Sequence, residues 1–372
     1  MNLRKPPRRV LVVCIRRLGD VLLTTPLIAA LAQKWPEARI DVLTNAGAVV
    51  TLQGNPDIAN LIAQPERPKF LQMLKLIARI FRRYDLAICT LANDRPYLYT
   101  LFAAPIRVGV LAAGESSTWF KRRVVHDSVP DLPRLVHTVE QYLRLADRLG
   151  APVSAAEVRP PRPVDESNLD TQLGVGWKAR PYAVLHLSAM FRYKSWTVSA
   201  WRELLQGLLK RGLRVCITGG PAMHETIFTA EVIDGFAASE ISNLSGRIAF
   251  AELTPLIENA RVFVGPDTSV THLAAATGVP TVTLFGPSDP IRWGPWPRGN
   301  GRTESSPWVK VAPLQHHGNV WIVQGIKPCV PCLLEGCERK LESRSDCLEE
   351  LPATRVLGVV DGILNQDRNP SG

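Results

Sequence analysis

The chain has 372 residues, of which 46% are hydrophobic and 21% are charged, and its formal net charge is +10. This length exceeds one ordinary hydrophobic core, so the sequence predicts a folded protein of two domains and excludes a disordered chain. The excess of positive charge favours anionic partners. Because the sequence has no zinc-finger spacing, RNA-binding aromatic motif or basic zipper, a membrane surface or an acidic glycolipid ranks above nucleic acid.

The N-terminal region lacks the pattern of an export signal. Its apolar run, residues 10–15, is too short for a signal-peptide core, and no apolar run of the chain reaches the length of a membrane span. We therefore expect a cytoplasmic protein whose seven cysteines are mostly reduced. Cys14, Cys89 and Cys216 lie in apolar runs and are predicted to be core residues.

Strands and helices alternate through the first half, which predicts a parallel sheet covered on both faces. A buried strand at residues 10–15 is followed by a turn and a helix at 21–34, with Pro26 about one turn into that helix. Asp20 falls at the helix start, at the carboxyl edge of the sheet, where α/β proteins bind ligands. A plain N-cap is the alternative role for Asp20. Further strands are predicted at 39–44, 58–62, 85–91 and 106–110, and further helices at 69–83 and 137–149.

Two basic segments of this half are candidates for function. The predicted helix at 69–83 is amphipathic and rich in Lys and Arg, so it either lies on an anionic membrane or packs on its own sheet. Residues 111–134 are predicted as a long polar loop carrying Trp119, Lys121, Arg122 and Arg123. Arg122 and Arg123 are candidates for holding an anionic acceptor, and solvated surface charge is the alternative.

The second half repeats the pattern after a proline-rich segment, residues 151–181, where we place the domain boundary. A loop that follows the strand at 182–187 contains Lys194, a candidate for neutralising a phosphate, or else a solvated surface lysine. Further strands are predicted at 213–218, 262–264 and 281–285. Helices are predicted at 196–211, 222–233, 253–260 and 269–276.

Residues 262–287 form a predicted strand–loop–helix–strand unit. Asp267, Thr268 and Ser269 fall at the start of its helix, where free backbone N–H groups and the helix dipole favour a phosphate. The Asp267 carboxylate would repel that phosphate. We therefore expect it to accept backbone N–H bonds as a cap, with Thr268 and Ser269 facing the ligand.

Four cysteines cluster late in the chain, with the spacing C-x2-C-x4-C-x9-C. Four thiolates can hold a structural zinc ion, but this spacing does not make the usual pair of CxxC knuckles. Reduced thiols that shape a loop are the default interpretation, and a bound metal is the alternative. The residues are Cys329, Cys332, Cys337 and Cys347.

Four segments in order along the chain resemble the motifs of one family. They are RRLGDVLLTTPLIAAL at 16–31, HLSAMFRYKSWTVSAW at 186–201, VGPDTSVTHLAAATGVPTVTLFGPSDPIRWGPW at 264–296, and CVPCLLEGC with the later CL at 329–348. The chain resembles bacterial ADP-heptose:lipopolysaccharide heptosyltransferases, glycosyltransferase family nine. The segments span nearly the whole sequence. Phe191-Arg192-Tyr193 and the glycine-free Asp267-Thr268-Ser269 depart from the commonest forms of these motifs.

The resemblance implies an α/β protein of the GT-B fold, with two Rossmann-like domains facing across a cleft. It divides the chain into residues 1–165 for the acceptor, 166–348 for the nucleotide sugar, and a terminal helix in 349–372 that crosses back to the first domain. It also implies inverting transfer of a heptose from ADP-heptose to an anionic lipopolysaccharide core, without a cofactor or metal ion. Such an enzyme works in the cytoplasm, peripherally on the inner face of the inner membrane. Motion through the proline-rich linker would then accompany catalysis.

The resemblance assigns roles to particular residues. Asp20 matches the proposed catalytic aspartate and suits a general base. Lys194 matches the lysine that contacts the donor diphosphate, and Glu225, after the Gly219-Gly220 turn, is the candidate for the donor ribose. The other residues that match the nucleotide loop are Asp267, Thr268 and His272.

Two other functional classes stay open at this point. A GT-B nucleotide-sugar epimerase would also use two Rossmann-like halves, and it would turn over without a lipid acceptor. A nucleotide-sugar-binding protein without catalysis is the third possibility, against which Asp20 and Lys194 both argue. A GT-B transferase that uses another nucleotide sugar is a further alternative.

Overall fold

A computed structural model describes residues 3, 5–112, 118–151, 153, 155–302 and 305–366. The chain divides into two compact units. The first comprises residues 1–161 together with 299–306, and the second comprises 162–298 together with 307–372. Each unit is built on its own sheet. The described residues include no helix that is long and apolar enough to span a bilayer.

The first unit contains a six-stranded parallel sheet with the order β3-β2-β1-β4-β5-β6. Its central strands are buried on both faces, as near-continuous apolar runs predict. From β1 the chain builds the sheet first in one direction and later in the other, so a crevice opens between β1 and β4 at the carboxyl edge. The strands are β1 (Arg9–Val13), β2 (Arg39–Asn45), β3 (Asn60–Gln64), β4 (Leu86–Cys89), β5 (Ile106–Leu111) and β6 (Asp127–Pro130).

In the described part of this unit, six α-helices cover the sheet. Right-handed crossovers place α3, α4 and α5 on one face, and α4 packs against both of its neighbours. On the other face α2 packs against α6. The helices are α1 (Leu18–Leu22), α2 (Thr25–Lys34), α3 (Phe70–Ile80), α4 (Asp94–Ala103), α5 (Thr118–Val124) and α6 (Thr138–Arg148).

The structure corrects two predictions for this unit. The helix predicted at 21–34 is two helices, because α1 ends at Leu22 and Pro26 lies in the first turn of α2, where the missing N–H has no helical partner to lose. The predicted loop at 111–134 contains α5 and β6, and its residues 113–117 lie outside the described part of the chain. Helix α4 was also missed, because it has little amphipathic periodicity and contains Pro96.

The second unit contains a seven-stranded sheet with the order β12-β13-β11-β10-β7-β8-β9. Only β12, at the edge, runs antiparallel to its neighbour among the strands that the structure describes. The strands are β7 (Tyr182–His186), β8 (Arg214–Thr218), β9 (Ile241–Asn243), β10 (Val262–Pro266), β11 (Thr281–Phe285), β12 (Leu314–His317) and β13 (Val320–Gln324).

The helices of this unit again lie in two layers. Helix α8 packs against α9, and α10 packs against α11. Short 3-10 turns occur at Trp177–Ala179, Arg192–Lys194 and Phe250–Glu252. The α-helices are α7 (Ser167–Leu173), α8 (Val198–Lys210), α9 (Met223–Ile233), α10 (Leu253–Glu258), α11 (Ser269–Thr277), α12 (Pro290–Trp293), α13 (Asp346–Glu349) and α14 (Ala353–Gln366).

The terminal helix α14 packs on the second unit, against α8, β11 and β13. Its apolar residues Val356, Val360 and Ile363 are buried in the same core as Trp201 and Leu204 of α8. A Cβ on Gly207 would lie 2.5 Å from a methyl group of Leu357, so the glycine lets the two helices approach closely. The expectation that this helix crosses back to the first domain is therefore wrong: its apolar stripe is already covered by α8.

Candidate active site

Lys194 and Asp267 meet at the carboxyl edge of the second sheet. Lys194 lies in the loop after β7 and Asp267 directly follows β10, the strand beside β7. The chain leaves β7 in one direction toward β8 and β9 and returns to build β10 on the other side, so a crevice opens between these two strands. The Lys194 Nζ atom lies 2.5 Å from the Asp267 Oδ2 atom. The two loops are thus joined by an ion pair that is largely buried.

Burial and charge act in opposite directions on the Asp267 carboxyl. Burial raises its pKa, but the nearby Lys194 and His272 and hydrogen bonds from Lys194 and Ser288 outweigh burial and hold the pKa below its ordinary value. His272, on α11, is also buried, and burial lowers its pKa to about 4 against the attraction of Asp267. This imidazole is therefore neutral at pH 7, and its Nδ1 atom has no hydrogen-bond partner within the described chain.

The start of α11 lies directly beside this pair. Thr268 is the N-cap, with an extended backbone, and makes no side-chain cap bond; Ser269 is the first helical residue, and both are half-buried. The Asp267 carboxylate binds the Lys194 ammonium and Ser288, and no bond from it to the helix start is present among the described residues. The expectation that it caps the helix is therefore wrong. The first backbone N–H groups of α11 are left for another acceptor.

Glu225 lies at the same edge of the sheet, one strand further along. Its Oε2 atom accepts a hydrogen bond of 2.6 Å from the backbone N–H of Gly220, in the turn that follows β8. A Cβ on Gly220 would lie 2.8 Å from the other carboxylate oxygen, so the glycine gives the Glu225 side chain room against this turn. The structure therefore gives Glu225 a local role in closing the turn.

In the first unit, Asp20 lies in α1, after the turn that ends β1. Its carboxylate is buried, and its Oδ1 atom lies 3.3 Å from a guanidinium nitrogen of Arg16, four residues earlier in the turn before α1. Burial lowers the pKa of Arg16, but Asp20 and other neighbouring groups raise it, and the net shift is upward. The ion pair with Arg16 holds this carboxylate at the carboxyl edge of the first sheet.

Arg122 and Arg123 lie on α5 in the same unit, and both are exposed. The Arg123 guanidinium lies 4.1 Å from the centre of the Trp119 ring. Lys121 of the same helix is buried, and its Nζ atom lies 2.9 Å from Asp94 Oδ1 at the start of α4. The two arginines are thus surface cations on an anchored helix.

The family model for glycosyltransferase family 9 (heptosyltransferase) matches residues 73–307, more than half of the chain. The chain belongs to glycosyltransferase family 9. A lipopolysaccharide heptosyltransferase 3 of Escherichia coli is 28% identical to this glycosyltransferase over 290 residues, which cover 75% of this chain and 83% of that protein.

Solved structures show that this family 9 glycosyltransferase has the GT-B fold. A family 9 glycosyl transferase from Veillonella parvula superposes with a TM-score of 0.75 at 17% identity, covering 96% of this chain and 97% of that one. The ADP-heptose lps heptosyltransferase II of E. coli superposes with a TM-score of 0.72 at 21% identity, covering 97% and 99%. The sequence-based prediction of family and fold is confirmed.

Sequence analysis missed two polar residues at the carboxyl edge of the second sheet of the glycosyltransferase. Ser288, just after β11, hydrogen-bonds to Asp267. His186, the last residue of β7, is buried, its Nδ1 atom lies 3.1 Å from Thr218 Oγ1, and burial lowers its pKa to about 4. Both follow the rule that polar residues at the carboxyl ends of neighbouring parallel strands meet, and that rule could have identified them.

The late cysteines of the glycosyltransferase all carry free thiols. Burial first, and then the neighbouring Cys332, Cys329 and Cys337, raise the pKa of the Cys347 thiol to about 12. Among the described residues, no group of three or more His, Cys, Asp or Glu side chains is arranged to hold a metal ion. The cysteines therefore lie near one another without forming a coordination sphere in this structure.

Proposed function

We propose that this glycosyltransferase moves a heptose from ADP-heptose to an acceptor in the lipopolysaccharide core, with inversion at the anomeric carbon. The observation that carries the proposal is the buried Lys194–Asp267–His272 cluster beside the start of α11, in a chain of a heptosyltransferase family. Relatives of this chain include lipopolysaccharide heptosyltransferases of Escherichia coli and Pseudomonas aeruginosa, which supports this donor and acceptor over a nucleotide-sugar epimerase or a binding protein without catalysis.

The donor half of the reaction is assigned to the second unit. Lys194 and the backbone N–H groups of Thr268 and Ser269 bind the diphosphate, whose negative charge grows as the sugar leaves. Fixed positive groups of this kind stabilise a transition state by about 3 kcal/mol each. Because the ammonium and the helix dipole supply positive charge at the leaving group, we infer that no resident metal ion or other cofactor is needed. Asp267 and His272 orient Lys194, and Glu225 is proposed to meet the ribose from its turn.

The acceptor half is assigned to the first unit. Asp20 is the general base: it takes the proton of the acceptor hydroxyl as the new bond from that oxygen to the heptose anomeric carbon forms. The bond from the same carbon to the diphosphate breaks, and ADP leaves with the bonding electrons. Arg16 holds the Asp20 carboxylate in place through their ion pair. Arg122 and Arg123 are proposed to bind anionic groups of the core.

Because a lipopolysaccharide core is attached to lipid, we place the enzyme at the inner face of the inner membrane as a peripheral protein. The net charge of +10 supports this location, since anionic headgroups attract a basic protein. The boundary between the acceptor and donor domains is placed in the proline-rich segment after residue 151.

The test is incubation with ADP-heptose and a panel of truncated lipopolysaccharide cores, followed by the mass of the product. We expect one core to gain one heptose, with the same yield in the presence of EDTA. Transfer from UDP-sugars with no transfer from ADP-heptose would refute the donor. Conversion of a nucleotide sugar without any acceptor would indicate an epimerase.

The base assignment is tested separately with Asp20→Ala. We expect transfer to fall by at least about a hundredfold, as for the loss of a general base, while ADP binding measured by calorimetry stays near that of the wild type. The matched control is Asp170→Ala, which removes an exposed carboxylate from α7. If Asp20→Ala transfers heptose at the control rate, Asp20 is not the base.

A further inference from the structure

Helix α3 buries only part of its apolar surface. Leu76 and Ile80 pack into the core with α4. In contrast, Phe70 and Leu71 are 71% and 70% exposed, and Leu74 is 44% exposed. These side chains extend the apolar face of α3 beyond the part that the rest of the protein covers. A helix that packs only on its own sheet is expected to carry polar residues at these exposed positions.

Helix α5 carries a second group of exposed aromatic residues. Trp119 is 63% exposed and Phe120 is 44% exposed. The Arg123 guanidinium lies over the Trp119 ring. Large aromatic side chains next to cations are typical of protein surfaces that meet the headgroup region of a bilayer.

Two contacts tie the N-terminal ends of α3, α4 and α5 together. Arg95, at the start of α4, donates a hydrogen bond of 3.0 Å to the Glu66 carbonyl just before α3. Asp94 beside it forms the ion pair with Lys121 of α5. The exposed groups of α3 and α5 therefore lie at one end of this helical layer. We call them the α3–α5 patch, which consists of Phe70, Leu71, Leu74, Trp119 and Phe120.

The patch lies at the carboxyl edge of the first sheet, because helices that follow parallel strands begin there. Asp20 follows β1 at the same edge. A surface that the patch contacts would therefore lie on the side of the unit from which an acceptor reaches the proposed base.

The surroundings of the patch are basic. The exposed cations include Arg67, Lys69, Lys75, Arg79, Arg122 and Arg123. Of the carboxylates near it, Asp94 is paired with Lys121, and Glu66 lies exposed before α3. A helix with an apolar flank beside a basic face lies in the plane of an anionic membrane, with the apolar groups below the headgroups and the cations at the phosphates.

We propose that the α3–α5 patch docks the enzyme on an anionic phospholipid bilayer. The docking gives the lipid-linked acceptor a fixed approach to Asp20, and in that respect it rests on the proposed function. Exposed apolar side chains enter the headgroup–acyl boundary, and Lys75 and Arg79 face lipid phosphates. The partner is the lipid surface itself rather than a protein or a nucleic acid.

The test compares two double variants in vesicle co-sedimentation. Phe70→Gln with Leu74→Gln removes two apolar groups one helical turn apart from α3. Met223→Gln with Ile227→Gln makes the same change on α9, whose residues are 77% and 54% exposed but lie beside Glu225 rather than beside cations. Vesicles contain either phosphatidylglycerol mixed with phosphatidylcholine or phosphatidylcholine alone.

We expect the α3 variant to bind phosphatidylglycerol vesicles at least about tenfold more weakly than the wild type, because burying even one large apolar side chain changes a binding constant by that factor. The α9 variant should bind as the wild type does. Binding should weaken in high salt and on phosphatidylcholine alone. All substituted residues are exposed, so the unfolding midpoints of the two double variants and the wild type should agree. If the midpoints differ, the single variants Lys75→Gln and Arg79→Gln test the same patch, and each should bind phosphatidylglycerol vesicles more weakly than the wild type.

Equal vesicle binding by the α3 variant and the wild type would overturn the proposal. A change of oligomeric state in light scattering with unchanged vesicle binding would also overturn it, since the patch would then join copies of the chain. Transfer to a lipid-free core oligosaccharide separates the two proposals. The α3 variant should transfer to it normally, whereas failure of the wild type on every core would refute the proposed function and leave the vesicle result standing.

Discussion

The ion pair between Lys194 and Asp267 is open to a double-mutant cycle. The perturbations are Lys194→Met, which keeps the length of the side chain and removes its charge, and Asp267→Asn, which keeps the shape of the carboxylate. The two losses are unequal, because Asp267 is nearly covered whereas the Lys194 side chain is 22% exposed and retains contact with water.

The magnitudes follow from what each variant leaves behind. Lys194→Met strands a buried carboxylate, which costs about 3–5 kcal/mol of unfolding free energy. Asp267→Asn leaves a partly hydrated ammonium, for which about 2 kcal/mol is the corresponding cost. In the double variant neither charge is stranded, so the cost should fall short of the sum by about 1–3 kcal/mol.

The destabilisation caused by Lys194→Met should depend on pH in a direction that the pKa of Asp267 determines. In the wild type the pKa of Asp267 is held below its ordinary value, so the pair stabilises the fold above the unfolded pKa and this contribution is lost as pH falls through the folded pKa. In Lys194→Met the effect of burial is no longer outweighed, and the pKa of Asp267 should rise. That variant should then lose less stability, relative to the wild type, at pH 5 than at pH 8.

Urea unfolding of the four proteins at pH 8 and pH 5 measures the cycle, and calorimetry with ADP measures the donor site. Loss of a charge-assisted contact to phosphate should weaken ADP binding by Lys194→Met at least about tenfold. Additive losses in the cycle, or equal destabilisation by the two single variants at pH 8, would refute the argument that the pair is buried and coupled.

Three further predictions concern the second unit. Burial lowers the pKa of His186 from 6.5 to about 4, so the unfolded chain binds more protons than the folded protein between these pH values. The free energy of unfolding therefore falls as pH drops through that window, and His186→Asn should recover about 2 kcal/mol of the loss at pH 5, measured by urea unfolding. The control is His224→Asn, which replaces an exposed histidine. Gly325→Ala would place a Cβ 2.5 Å from the Cys347 carbonyl oxygen and should lower the unfolding free energy by about 1–3 kcal/mol, whereas Gly358→Ala on α14 meets no atom within 4 Å and should raise it by about 1 kcal/mol. Ile363→Ala should cost about 2–5 kcal/mol if α14 belongs to this core; a cost below 1 kcal/mol by the same measurement would show that the helix is not packed there.

The spacing of apolar residues predicted the strands and helices in which apolar and polar residues alternate regularly. Strand β11 was predicted with its observed bounds, and α3, α6 and α8 were predicted to within a few residues. The elements that were missed have weak local patterns. Helix α4 is stabilised by burying Tyr97 and Tyr99 rather than by an amphipathic stripe, and β12 is an exposed edge strand that depends on pairing with β13.

The sequence by itself determined the family, the GT-B fold and the loops that carry the candidate site, because strand–loop–helix patterns and the motif residues are local. It could not determine where side chains from different loops point. Only the tertiary structure decided that the Asp267 carboxylate binds Lys194 instead of capping α11, since that choice depends on how β7 and β10 lie side by side. It also decided that α14 covers α8, because an apolar stripe shows that a helix must be buried but not against which surface.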